Sequence, residues 1–140
     1  MRLHKDWTRE RNRYMAKIAI STENAPEPVA NYSPAVRKGN ILQLAGQVAV
    51  DPKTSEPVGT TVGAQTRQVF ANLDAVLAEA GAGWDDVVMV RAYLTDTGHF
   101  AEFNEVYNQL VGEPYPARTT VYVGLPAGLL VEIDLLAVVD

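Results

Sequence analysis

The chain has 140 residues, 47% of them apolar and 21% charged, which suits one globular domain that buries its own core and excludes disorder or a fibrous architecture. It contains no cysteine, so disulfides, thiolate zinc sites and thiol nucleophiles fall away together and the expected compartment is cytoplasmic; no run approaches the roughly 20 apolar residues of a membrane helix. The net charge is −5 with twelve basic side chains, but Arg2, Lys5, Arg9, Arg11 and Arg13 all precede Tyr14; without these five and the acids Asp6 and Glu10 the chain keeps seven basic against fifteen acidic side chains, a formal −8 that argues against nucleic-acid binding.

Residues 1–14 form a basic arm without the apolar stretch of a secretory signal. It reads as a disordered arm, a transit-like segment or, preferred, sequence upstream of a true start at Met15, with 15–140 as a single domain. Ala16 to Ile20 alternate as a first strand. Ser21 to Pro34, with three prolines, is a loop. Ala35 to Lys38 is a short strand ending at the turn Lys38-Gly39-Asn40, and Ile41 to Val50 a longer one that Gly46 interrupts with a bulge or a close backbone approach. Asp51 to Gly59 is a second loop.

Thr60 to Ala80 shows a helical period, with Val69, Phe70, Leu73, Val76, Leu77 and Ala80 on one stripe, and Gly81 and Gly83 stop it. Asp85 to Asp96 holds a β-rich central strand. Asp96 or Thr97 caps a second helix whose stripe is Phe100, Phe103, Val106, Tyr107, Leu110 and Val111, ended by Pro114 and Pro116. Two last strands, Ala117 to Val123 and Leu129 to Val139, read as a hairpin around Gly124 to Gly128. The order β-β-β-α-β-α-β-β predicts an α+β domain, a mixed sheet with two helices on one face. The last strand is apolar on both faces, so the side away from the helices needs a cover that two helices cannot provide. A second subunit is expected there, making a homo-oligomer.

In the predicted hairpin Arg118, Thr120 and Tyr122 share one side of their strand, and Leu130, Glu132, Asp134, Leu136 and Val138 one side of theirs. A symmetric loop sets Arg118 opposite Asp134 with Glu132 its diagonal neighbour; a one-residue slip separates them. On charge pattern alone an idle cross-strand ion pair is the plainer reading. The other is an arginine fork that binds a substrate carboxylate while a glutamate positions water.

The run Pro116-Ala117-Arg118-Thr119-Thr120, followed by Val131-Glu132-Ile133-Asp134, resembles the signature of the Rid (YjgF) family of reactive-intermediate deaminases. Ser21 to Pro26, Asn31-Tyr32-Ser33, Gly46-Gln47-Val48 and Phe103-Asn104-Glu105-Val106-Tyr107 support it in order, from about Ala16 onward. The resemblance implies a chorismate-mutase-like domain in a trimer of barrel-like packed sheets, with ligand clefts between subunits. It implies hydrolysis of small 2-imino or enamine acids, such as 2-aminoacrylate, to 2-keto acids and ammonia, with no cofactor and no metal. Carried over, Arg118 is the carboxylate-binding arginine, Glu132 holds the attacking water, Tyr32 is a cleft tyrosine and Asn104 lines the site; Ala45, Gly46 and Thr120 complete the substrate-binding set.

Two positions depart from the pattern: Ala45 stands where characterised deaminases carry serine, and Thr120 where many carry cysteine. Both bear on substrate range and rate. The alternative is therefore a non-catalytic small-carboxylate-binding or sensing protein on the same scaffold. A ribonuclease-like activity is a third reading, disfavoured by the acidic body. His99 and Glu102 are too few for a metal site, and Asp85-Asp86 reads as a cap or turn.

Overall fold

The computed structural model describes residues 16–140, and the basic arm lies outside the described residues. In chain order the elements are β1 (Ile18–Ile20), β2 (Ala35–Lys38), β3 (Ile41–Val48), helix α1 (Val62–Glu79), β4 (Val87–Leu94), helix α2 (Phe100–Leu110), β5 (Ala117–Tyr122) and β6 (Val131–Val138). This is the α+β order expected from the sequence. The strands form one mixed sheet, β1-β2-β3-β6-β4-β5, with β4 and β5 parallel and the other neighbouring pairs antiparallel.

Both helices lie on one face. Alternate residues of β6, Val131, Ile133, Leu135 and Ala137, point into the core with Leu42, Leu44, Val90, Ala92 and Leu94, all at 0% exposure. The helices cover them with Val69, Leu73, Val76 and Leu77 from α1 and Phe103 and Tyr107 from α2. Burying each large aliphatic side chain contributes about 1.5–3 kcal/mol, so the interior row of β6 anchors the sheet. Thr61 caps α1 by accepting from the Ala64 amide at 3.1 Å, and Gly81, at φ 70°, turns the chain out of it. Asp96 caps a single 3₁₀ turn, Thr97–His99, that leads into α2. Phe100 and Leu110, placed on the buried stripe by periodicity, lie at the helix ends and are 38% and 37% exposed.

The irregularity expected at Gly46 is present. Leu44 pairs with Leu135 and Gln47 with Ile133, so Ala45 and Gly46 together stand against the single residue Asp134. The Gln43 side-chain amide donates to the Leu44 and Leu135 carbonyls at 2.8 and 2.9 Å, bracing the strands beside the bulge.

The C-terminal hairpin is not formed. β5 pairs in parallel with β4, Arg118 opposite Val90, and β6 pairs antiparallel with the other side of β4, Glu132 opposite Tyr93 and Asp134 opposite Arg91. β4 therefore separates the last two strands. The eight residues from Val123 to Leu130 span an intervening strand easily, since neighbouring strands lie only about 4.8 Å apart. The crossing segment is pinned at both ends of its path: Val123 donates to the Leu94 carbonyl, Thr95 donates to that of Leu130, and buried Gln65 of α1 donates to the Gly128 carbonyl and accepts from the Leu130 amide.

Candidate functional site

Pairing through β4 decides where the two candidate residues face. Arg118 lies opposite Val90, which lies opposite Leu135, so the arginine is on the helix-covered face; Glu132 lies opposite Tyr93 on the open face. The expectation that Arg118 and Glu132 share a face is thus overturned, because the intervening strand changes the relative parity of β5 and β6. Arg118 is not paired with Asp134 either. That carboxylate accepts from Arg91 Nε at 2.6 Å and from the Tyr93 hydroxyl at 2.7 Å, so the cross-strand ion pair belongs to Arg91.

Arg118 sits on β5, at the sheet edge, against α2. Its guanidinium carbon lies 4.5 Å from the ring centre of Tyr107, 5.6 Å from Phe103 and 5.8 Å from Phe100, distances at which a cation is attracted to an aromatic face. No carboxylate pairs with Arg118 among the described residues. Two hydroxyls accompany it, those of Tyr107 and of Thr120 on the same side of β5; both are buried without a hydrogen-bond partner among the described residues. Burial raises the Tyr107 pKa, and the nearby guanidinium opposes that shift without making a well-formed hydrogen bond. Asn104, half-buried, precedes Tyr107 by three residues and so lies on the same side of α2. A guanidinium without a carboxylate partner, beside hydroxyls free to donate, can accept an anion as a ligand.

The open face carries the second half. Glu132 is half-buried over the β3 bulge, and its fit there is tight: a Cβ on Gly46 would lie 2.8 Å from its Oε1. Glycine is thus required at 46 for the carboxylate to lie where it does. Burial, then the negative charge of Asp134, pushes the Glu132 pKa above 4.5. Nearby, Tyr32, Ser33, Gln43 and Ala45 line an open cavity of about 410 Å³, in which Tyr32 is 49% exposed. The predicted residues therefore form two groups, Arg118, Thr120 and Asn104 toward the helices, and Glu132, Gly46, Ala45 and Tyr32 on the opposite face.

Sequence reasoning placed Phe100, Phe103 and Tyr107 in a buried stripe, and Phe103 to Tyr107 in a segment supporting the resemblance, but missed all three as the wall around Arg118, because their helical spacing serves packing equally well. It also missed the Arg91–Asp134–Tyr93 network. Among the described residues no cluster of His, Cys, Asp or Glu could hold a metal, and no helix is long and apolar enough to cross a membrane. Glu102 accepts from the Gly63 amide at 2.7 Å, in the first turn of α1.

This six-stranded α+β domain, with an arginine at its edge strand and a glutamate over a bulge, can be set beside known proteins. The family model described as endoribonuclease L-PSP matches residues 22–139. A RutC family protein of Pyrococcus abyssi is 46% identical over 124 residues, covering 88% of this chain and 98% of the relative. A protein of Dermatophagoides farinae named 2-iminobutanoate/2-iminopropanoate deaminase is 37% identical, covering 89% and 98%. The crystal structure of RidA from an Antarctic Psychrobacter species superposes with a TM-score of 0.83 at 41% identity, covering 87% of this chain and 99% of that one. The chain belongs to the Rid (YjgF) family.

Proposed function

We propose that the protein is a cytoplasmic hydrolase that deaminates small 2-imino or enamine acids to 2-keto acids and ammonia, acting as a homotrimer without cofactor or metal. The observation that carries this reading is the Arg118 guanidinium, walled by aromatic rings and paired with no carboxylate among the described residues. The deaminase name of the Dermatophagoides relative supports the choice of reaction.

Arg118 binds the acid group through two parallel hydrogen bonds, leaving the imine carbon exposed to water. Glu132, with a pKa raised by burial, is a better base than a free carboxylate and takes a proton from that water as its oxygen attacks the imine carbon. The C=N π electrons move to nitrogen, which takes up the proton that Glu132 has accepted; the carbinolamine hydroxyl then yields its proton to Glu132, the C–O bond becomes a carbonyl, and the nitrogen takes that proton and leaves as ammonia. Within one subunit Glu132 stands on the opposite face, two strands in from the edge, beyond the span of a small acid. The base therefore comes from a neighbouring subunit. Two features support that assembly: β5 pairs on one side only among the described residues, and the open face exposes Ile41, Val121 and Val138 at 53%, 40% and 39%.

The test couples a serine/threonine dehydratase that generates 2-aminoacrylate to added protein and follows keto-acid release. Acceleration is expected, with Arg118→Ala losing both the acceleration and 2-ketobutyrate binding. Ala45, which supplies no hydroxyl beside Glu132, favours the second reading, a non-catalytic carboxylate sensor. Retained ketobutyrate binding without acceleration selects the sensor, and an Arg118→Ala variant unchanged in binding rejects both.

A further inference from the structure

We propose that the Tyr107 hydroxyl is a second donor to the anion held by Arg118, which makes Tyr107 the residue that distinguishes a carboxylate from its neutral analogue. The inference rests on the reading of Arg118 given above. Tyr107 is 5% exposed, yet its hydroxyl has no hydrogen-bond partner among the described residues. Buried hydroxyls are ordinarily paired, because an unmade hydrogen bond leaves the desolvation cost uncompensated. Of the three rings around the guanidinium, that of Tyr107 is nearest, at 4.5 Å. Stacking alone does not need the hydroxyl, since Phe100 and Phe103 stack without one.

Burial raises the Tyr107 pKa, so at neutral pH the phenol is protonated and donates. A carboxylate oxygen accepts from guanidinium and phenol together. An amide keeps one acceptor oxygen but sets an amino group, itself a donor, where the second carboxylate oxygen was, and so leaves one of the donors unpaired. Thr120 Oγ1 is a further buried hydroxyl without a partner among the described residues, on the Arg118 side of β5.

The experiment measures calorimetric affinities for 2-ketobutyrate and for its uncharged amide, 2-ketobutyramide, in the wild-type protein, Tyr107→Phe and Arg118→Ala. Tyr107→Phe, with an unchanged thermal midpoint, is expected to weaken ketobutyrate about tenfold and the amide little. Unaltered ketobutyrate affinity in the folded variant, or equal losses for acid and amide, overturns the proposal. If Arg118→Ala binds normally, the reading of the subsite itself fails; a loss there with a neutral Tyr107→Phe sinks only the role of Tyr107. Should Tyr107→Phe not fold, NMR of ¹³Cζ-labelled tyrosine in the unmodified protein decides instead, a Tyr107 resonance shifted by 2-ketobutyrate supporting the proposal and an unmoved one overturning it.

Discussion

Glu132 carries a cost in the folded protein. Its carboxyl is half-buried beside Asp134, and both burial and that neighbouring charge disfavour ionisation, so its folded pKa stands above the ordinary 4.5. Between the unfolded and folded values the native state binds more protons than the unfolded one. Stability contributed by this group is therefore lost as pH rises through that window. Glu132→Gln, which cannot ionise, is expected to raise the thermal midpoint relative to the parent at about pH 7 and to leave it unchanged at about pH 4; equal midpoints at both would show that Glu132 is not strained by ionisation. The same variant should lose deaminase turnover by roughly two orders of magnitude while keeping ketobutyrate binding. As candidates, Arg118 and Glu132 were legible from residue type and motif alone. Their relative orientation was not, because side-chain parity fixes a face only once the strand pairing is known.

At the scale of elements, helical period and turn residues located both helices and every strand to within a few residues, since those signals are local. Ala35 to Lys38 matches its predicted limits, and the bulge at Gly46 follows from a glycine interrupting an apolar run. The placement of β4 between β5 and β6 was not legible. It depends on pairing between segments far apart in the chain and on a connection long enough for either a hairpin or a crossing. Gln65 is the residue that marks the crossing after the fact: it donates to Gly59 and Gly128 and accepts from Leu130, all from a fully buried position. Gln65→Ala leaves two carbonyls and one amide without these partners and should cost about 3 kcal/mol, read as a lower urea midpoint with unchanged slope. A loss below about 0.5 kcal/mol would mean that the crossing segment does not depend on Gln65.

The two halves of the proposed site lie on opposite sides of one sheet. The helix-covered face offers a guanidinium among aromatic rings at an open edge strand, and the other face offers a carboxylate over a bulge beside exposed Ile41, Val121 and Val138. The apolar character of the last strand is what raises the expectation of a second subunit, because an alternating strand would have had no second apolar face to cover. The division of the proposed site rests on the sheet order, which sets Arg118 and Glu132 on opposite faces. If head-to-tail contacts close a ring of three, each site takes Arg118 from one copy and Glu132 from the next. Arg118→Ala and Glu132→Gln chains, each inactive alone, can be unfolded together in equal amounts, refolded, and assayed on 2-aminoacrylate. A divided site predicts recovery of about one quarter of wild-type activity, the chance that an intact arginine meets an intact glutamate across an interface; a mixture as inactive as its two components would contradict it.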